Sequence, residues 1–141
     1  MRGVLLDTHT LYWLVSGAVD LAPEALLAIG ESQQANLLYV SPITAWELSL
    51  AVRKQKNAPH IGDITVTKWF RAAVRETGAR IIPIGQRIAI EAANVVVVTG
   101  HRDPGDCYLL ATARTRRIPL VTRDAAIGQI AETGYLDMIL C

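Results

Sequence analysis

The stretch Gly-Val-Leu-Leu-Asp at residues 3–7 introduces the pattern that decides the fold class. It is a short apolar run that ends in an acidic residue, and the residues from Thr8 to Val15 that follow it have helical periodicity. Short apolar runs alternate with longer helical segments in the same way along the rest of the chain. This alternation is typical of an α/β domain, and it predicts a central, mainly parallel sheet of about four to five strands flanked by helices.

Capping and turn residues give approximate bounds for the predicted elements. Ser41 is a suitable N-cap and Pro42 a suitable first helical residue, so a helix should begin there. Pro83 favours an edge position for the strand that contains it, and an exposed connection is predicted over residues 53–63. The predicted helices cover about residues 8–15, 23–28, 42–54, 67–76, 86–94, 104–117 and a short segment after 124, and the predicted strands cover about 3–6, 37–40, 80–84, 118–122 and 138–140.

The length and composition fit one globular domain over residues 1–141. With 51% hydrophobic and 19% charged residues, the chain can bury a core, and disorder is not expected. Its two cysteines, Cys107 and Cys141, are too few for a disulfide scaffold or a four-ligand zinc site. The sequence has neither a signal-peptide pattern nor an apolar run long enough for a membrane span, so we expect a cytoplasmic protein without membrane contact.

Two predicted strands lead into an aspartate. Asp7 follows Leu6 directly, and Asp124 comes two residues after Thr122. Ligand sites of parallel sheets form at the carboxyl ends of the strands, so the two carboxylates would face one crevice if these strands are neighbours. Each aspartate could instead serve only as the N-cap of the next helix, a position that Asp favours.

Glu47 lies on a predicted helix face that would point inward. On a helical wheel it falls within an apolar stripe made by Ile43, Trp46, Leu50 and Ala51. A buried carboxylate must take up a proton, pair with a cation or bind a metal ion. An Arg or Lys partner is the structural alternative to a metal at this position.

Asp106 repeats this pattern on a later helix. It shares a face with Leu109, Leu110 and Ala113, which follow it by three, four and seven residues. The alternative is again structural, because an acid in the first turn of a helix capped by Asp103 complements the helix dipole. Asp103 is most simply that N-cap, with an accessory ligand as its second interpretation.

Together, Asp7, Glu47, Asp106 and Asp124 predict one acidic site. If they converge, their mutual repulsion requires a counter-charge, and oxygen-only ligands select Mg²⁺ or Mn²⁺. The formal net charge is +1, so the rest of the chain carries an excess of positive charge that suits a polyanion. Such a cluster on a small α/β domain suggests metal-assisted hydrolysis of phosphodiesters.

Four short motifs carry a family resemblance: LLDTH at residues 5–9, SPITAWEL at 41–48, HRDPGD at 101–106 and PLVTRD at 119–124. In this order, spread over almost the whole chain, they resemble the PIN-domain family and, within it, the VapC-type toxins of bacterial toxin–antitoxin pairs. The resemblance implies a Mg²⁺-dependent endoribonuclease, with Mn²⁺ able to substitute. It also implies that Asp7, Glu47, Asp106 and Asp124 are the catalytic and metal-binding acids.

The resemblance further implies accessory groups and partners. The Thr122 hydroxyl would orient a carboxylate or a water molecule, and Asp103 would be at most an accessory ligand. The family's usual partners are an RNA substrate, a second copy of the chain in a homodimer, and a small VapB-like antitoxin. Gly105 and Cys107 depart from the aromatic and basic residues that are common at these two positions in this branch, which concerns local substrate contacts.

Several alternatives stay open on the sequence alone. A nuclease of the same family could process RNA without being a toxin, and a regulatory or binding module could use the acids only as caps. A phosphatase with Asp7 as its nucleophile is disfavoured, because His9 stands where that class has a second Asp. His9 and His101 are interpreted as polar residues at helix starts rather than RNA contacts, and Trp13 as a packing residue for the core or a partner.

Overall fold

The computed structural model describes residues 2–141, which form a five-stranded, all-parallel sheet flanked by seven helices. The strands lie in the order β3-β2-β1-β4-β5, and they are β1 (Val4–Leu6), β2 (Leu38–Val40), β3 (Arg80–Ile81), β4 (Leu120–Thr122) and β5 (Met138–Leu140). The predicted α/β class with a mainly parallel sheet is therefore confirmed. The strand predicted over residues 80–84 ends at Ile81, before Pro83, and it lies at the edge of the sheet as predicted.

The helices that follow Asp7, Ser41, Asp103 and Asp124 begin directly after these predicted caps. The helices are α1 (Thr8–Ser16), α2 (Pro23–Gln34), α3 (Pro42–Ala51), α4 (Val66–Thr77), α5 (Gln86–Thr99), α6 (Pro104–Arg116) and α7 (Ala125–Glu132). The Ser41 hydroxyl accepts a hydrogen bond from the backbone N–H of Ile43, and Gly17 ends α1 in the left-handed region at φ 70°. No helix within residues 2–141 combines the length and the apolar character that a bilayer crossing requires.

Three helices differ from their predicted bounds by more than two residues, two being longer and one shorter. The α5 helix continues from Asn94 through four consecutive valines to Thr99, and α2 continues six residues past Ala28. β-branched residues have a low helix propensity, but Val95 is fully buried, so tertiary packing outweighs that propensity. The α3 helix ends at Ala51 instead of residue 54.

The sheet order places a crevice at the carboxyl end of its central strand. The chain leaves β1 towards β2 on one side, whereas β4 pairs with β1 on the other side, so the strand order reverses between β1 and β4. Leu6 is in register with Val121, which brings Asp7 beside Thr122 at the end of the next strand. Ligands of open parallel sheets bind at such a reversal.

Two apolar clusters cover the two faces of the sheet. Leu5 and Leu6 are both fully buried, but they belong to different clusters because successive side chains of a strand point to opposite faces. Leu6 packs in the cluster that includes Trp69 of α4, and Leu5 packs in the cluster that includes Leu110 of α6. The central strand is thus fixed on both faces, and so is the position of the acid that follows it.

Candidate active site

The two acids that follow strands are joined through one buried hydroxyl. Asp7 caps α1, since its Oδ1 accepts the backbone N–H of Thr10 at 2.7 Å. Its Oδ2 accepts a hydrogen bond from the Thr122 hydroxyl, and this hydroxyl accepts the backbone N–H of Asp124 at 3.1 Å. Asp124 in turn caps α7 through the N–H of Ile127 at 2.9 Å. Both aspartates are therefore N-caps, and the cap leaves part of each carboxylate facing the crevice.

Glu47 reaches the same crevice from α3. The Thr8 hydroxyl donates to its Oε1 at 2.6 Å, and the Thr8 and Thr44 hydroxyls lie 3.1 Å apart. On the other side, the Glu47 carboxylate fills the space beside Gly105, where a Cβ atom would overlap it. The absence of a side chain at Gly105, one of the two family departures in the sequence, is what lets α6 approach this carboxylate.

The predicted apolar stripe of α3 is wrong. Trp46 and Leu50 are 47% and 50% exposed, and the buried residues of the helix are Thr44 and Leu48. The helix is rotated so that Thr44 and Leu48 face the core, which leaves Glu47 half-buried at the border of the crevice. Its surroundings are hydroxyl groups and other acids rather than the apolar residues that the wheel indicated.

Asp106 is held by a histidine. Its Oδ2 lies 2.8 Å from Nε2 of His101, and about a fifth of each side chain is exposed. Asp103 precedes it as the cap of α6, with Oδ1 accepting the backbone N–H of Asp106 at 3.0 Å. The predicted cap at Asp103 is therefore present, and the same residue also belongs to the acid cluster described next.

Glu47, Asp103 and Asp106 form a close cluster, since each offers a carboxylate oxygen and these atoms lie within 4.8 Å of one another. Burial raises the pKa of both Glu47 and Asp106 above their ordinary values. Hydrogen bonds from Thr8 and His101 oppose this rise, while neighbouring carboxylates add to it. Partly buried carboxylates that repel one another are stabilised when they bind a cation or a proton.

All five acids line one open cleft of about 420 Å³. The other residues of its lining are Thr8, His9, Trp13, Lys54, Leu109 and Arg123. Among residues 2–141, no Arg or Lys forms an ion pair with any of the five acids. The nearby Arg123 instead donates to the backbone carbonyls of Asp20 at 2.9 Å and of Cys141 at 2.5 Å. The Arg or Lys partner considered for Glu47 is thus not what balances it.

The donor set of this cleft fits a hard divalent cation. Every acidic ligand candidate offers oxygen, and the three oxygens of the close cluster are near enough to share one ion. The cleft also has room for an ion together with an anionic group bound to it. Zinc would favour nitrogen or sulfur ligands, whereas oxygen-only sets favour Mg²⁺ and Mn²⁺.

Sequence reasoning pointed to Thr122 but missed three other groups that hold the acids in place. Thr8 and Thr44 were not singled out, although Thr8 follows Asp7 and Thr44 lies three residues before Glu47 on the same helix face. His101 was interpreted as a helix-start residue, but its ring binds Asp106. The Thr8 contacts depend on tertiary packing, so the sequence alone does not reveal them. The only sequence signal was the position of each residue close to one of the acids along the chain.

Sequence comparison gives a family match that covers most of the chain. The model of the PIN domain matches residues 4–133. Among curated proteins, none matches the chain significantly.

Solved structures with the same fold come from toxin–antitoxin complexes. A chain of a toxin–antitoxin complex from Klebsiella pneumoniae is 26% identical, with a TM-score of 0.57 over 86% of this chain and 87% of that one. A chain of VapBC2 from Rickettsia felis, bound to a DNA fragment from its promoter, is 15% identical with a TM-score of 0.68, covering 98% of each chain. A chain of VapBC-5 from Mycobacterium tuberculosis is 17% identical with a TM-score of 0.62, covering 100% of each.

Proposed function

This chain belongs to the PIN-domain family, and from that membership and its acidic cleft we propose that it is a Mg²⁺-dependent endoribonuclease and the toxin of a toxin–antitoxin pair. PIN domains are nucleases in general, so the proposal concerns the metal, the RNA substrate and the biological setting. One observation carries it: five carboxylates from four separate segments line a single cleft without an Arg or Lys ion pair among residues 2–141.

The proposed ligands divide into a principal set and an accessory residue. Asp7, Glu47, Asp106 and Asp124 are the proposed catalytic and metal-binding acids, and Asp103 is the accessory ligand. When bound, Mg²⁺ supplies a Lewis acid that lowers the pKa of water and offsets negative charge on the phosphate, and Mn²⁺ can substitute for it.

The protein's own groups have distinct tasks in this proposal. The Thr122 hydroxyl holds the Asp7 carboxylate in one orientation, and Thr8 does the same for Glu47. Lys54 and Arg123 line the cleft and attract the phosphates of RNA, which orients the chain without reading its sequence.

The partners follow from the relatives. The similar structures are toxin–antitoxin complexes, which supports a VapB-like antitoxin as the partner of this chain in the cytoplasm. A homodimer is supported by exposed apolar side chains on α5, among them Ile90 and Val97. Co-purification from the native operon would identify the antitoxin, and sedimentation of the purified chain would give its oligomeric state.

The test of the nuclease proposal is cleavage of single-stranded and structured RNA with Mg²⁺. We expect cleavage by the wild type that stops in EDTA and is lost in Asp7→Asn. Asp63→Asn is the matched control, since it makes the same change of charge at an exposed residue away from the cleft. Cleavage that persists in EDTA, or in Asp7→Asn, would refute the mechanism.

Metal binding separates the nuclease from a non-catalytic module. Calorimetry with Mn²⁺ should show uptake by the wild type, and a thermal shift should accompany it. If neither is observed, the non-catalytic module is favoured over the nuclease.

A further inference from the structure

A second cavity lies against the acidic cleft and shares residues with it. This side groove has a volume of about 480 Å³ and lies between α1, the end of α3 and the segment that follows α3. Four of its residues also line the acidic cleft, namely Thr8, His9, Trp13 and Lys54. The rest of its lining is Tyr12, Val19, Leu48, Ala51, Asn57, Ala58 and Pro59. A substrate bound at the acids can therefore extend into the groove.

The shared border is built from stacked planar groups. The His9 and Trp13 rings are stacked, with centroids 5.6 Å apart and planes inclined by 28°. The Arg123 guanidinium lies over the same Trp13 ring, 4.6 Å from its centroid. His9 is exposed and Trp13 is partly exposed, so a ligand can reach this stack from the cleft and from the groove. Aromatic rings of this kind hold unpaired bases by stacking.

The opposite wall of the groove is fixed before any ligand binds. The Tyr12 hydroxyl accepts the backbone N–H of His60 at 2.8 Å and donates to the carbonyl of the same residue at 2.9 Å. The Tyr12 ring packs on Trp69, with centroids 5.8 Å apart. Tyr12 thus ties the segment after α3 to α1, and a ligand does not have to order the groove when it enters.

Charge favours a nucleotide over an apolar peptide in this groove. Lys54 is at the junction of groove and cleft, and among residues 2–141 it forms no ion pair. A cation at the junction suits the negatively charged RNA backbone that would run from the acids to a nucleotide whose base lies in the groove. Arg123 adds a second positive charge on the cleft side.

From this arrangement we propose that the side groove is a nucleobase site, in which His9 and Trp13 stack on the base next to the cleaved phosphate. The inference rests on the proposed ribonuclease function and adds a feature of the substrate, an unpaired base beside the cut. Lys54 contacts the RNA backbone where it passes from the acidic cleft to the groove. Base-paired RNA cannot present such a base without opening, so the groove selects single-stranded segments.

The test compares RNA binding with and without bases. The probes are four short labelled oligoribonucleotides, each of one base, and an abasic chain of the same length, titrated with Mg²⁺ into Asp7→Asn protein. We expect at least one base-bearing probe to bind more tightly than the abasic chain. Trp13→Leu should reduce that difference on the order of tenfold, and Trp13→Phe should retain most of it. Trp46→Leu is the control, because Trp46 is exposed and lines neither cavity.

His9→Ala keeps the test decisive if Trp13→Leu lowers the stability of the fold, since His9 is exposed and its removal spares the core. The same loss of base preference is expected. Binding that does not depend on the bases, or an equal loss for base-bearing and abasic probes, would overturn the inference and leave the groove to a polypeptide. Absence of cleavage by the wild type would refute the ribonuclease proposal, and the binding comparison would still report on the groove.

Discussion

The two halves of the acidic cleft hold their carboxylates in different ways. In the strand-end half, Asp7 and Asp124 each accept a backbone N–H of the following helix, and Thr122 joins them through its hydroxyl. In the helix half, made by Glu47, Asp103 and Asp106, carboxylate oxygens lie within 4.8 Å of one another. Burial raises the pKa of two of these three acids.

The two halves of the cleft therefore differ in what their acids contribute to the stability of the fold. Hydrogen-bond donors already compensate the strand-end carboxylates, so these acids support the fold as well as the site. The helix half is compensated less, because negative charges face one another in a partly buried place. A bound cation would neutralise these charges. Without a cation, the ionised acids of this half lower the stability of the fold.

The largest expected effect comes from one change of charge made in both halves. Asp7→Asn and Glu47→Gln should each reduce cleavage by at least about 100-fold. Loss of a residue that only hydrogen-bonds to a metal ligand already costs about 10- to 100-fold, and loss of a ligand itself should cost at least as much. Their effects on metal-free stability should have opposite signs. Asn has one acceptor oxygen where Asp has two, so Asp7→Asn leaves either the buried Thr122 hydroxyl or the Thr10 backbone N–H without its acceptor and lowers the melting temperature. Glu47→Gln removes a repelled charge and raises the melting temperature.

Thermal unfolding in EDTA measures the change in melting temperature of each variant, and RNA cleavage with Mg²⁺ measures the loss of activity of each. Melting temperatures that move in the same direction for both variants would contradict the division between the halves.

The hydroxyl of Thr122 should have the next largest effect. Thr122→Val keeps the shape of the fully buried side chain but removes the group that joins Asp7 to the backbone of Asp124. Groups that orient metal ligands typically contribute about 10- to 100-fold in metal affinity, and we expect a loss in that range. Calorimetry with Mn²⁺ measures it, and Thr122→Ser, which keeps the hydroxyl, should retain most of the affinity.

In the helix half, a single methyl group should displace a ligand. The Cβ atom of Gly105→Ala would overlap the Glu47 carboxylate, whose flexible end can move away. We expect cleavage to fall on the order of tenfold, while stability is maintained because Ala favours the helix. Gly30→Ala in α2 is the control, since its new Cβ would meet nothing within 4 Å. Unchanged cleavage by Gly105→Ala would show that Glu47 does not need its present position.

The metal-free protein should gain stability as the pH falls. For Glu47 and Asp106 the native pKa lies above the ordinary values of 4.5 and 3.8, so the native state takes up their protons first. The free energy of unfolding therefore rises from neutral pH through the raised pKa values towards about 4.5. Below that, other acids act in the opposite direction, because an Arg114 hydrogen bond lowers the pKa of Glu91.

Thermal unfolding in EDTA across this pH range measures the trend, and Glu47→Gln should reduce it. Added Mg²⁺ should reverse the trend, since binding requires ionised carboxylates. A metal-free stability that falls steadily with acidification above pH 4.5 would contradict the assignment of unfavourable charge to the helix half.

The sequence could predict the strand-end half better than the helix half, for a physical reason. Asp7 comes directly after a buried apolar run and Asp124 two residues after another, and the caps that they form are local. The surroundings of Glu47 depend on contacts with Thr8 and Gly105, which come from other elements. Periodicity alone could not supply the rotation of α3 about its axis, so the wheel placed Glu47 among the wrong neighbours.

The smallest expected effect separates the cap from the ligand at Asp103. Asn is as good an N-cap as Asp, so Asp103→Asn should keep the hydrogen bond to the backbone of Asp106 and leave the melting temperature nearly unchanged. It removes one negative charge from the cluster with Glu47 and Asp106. If Asp103 is an accessory ligand, Mn²⁺ affinity should fall by about a factor of ten or less. Equal affinity in the variant and the wild type would make Asp103 a cap alone and confine the helix half to Glu47 and Asp106.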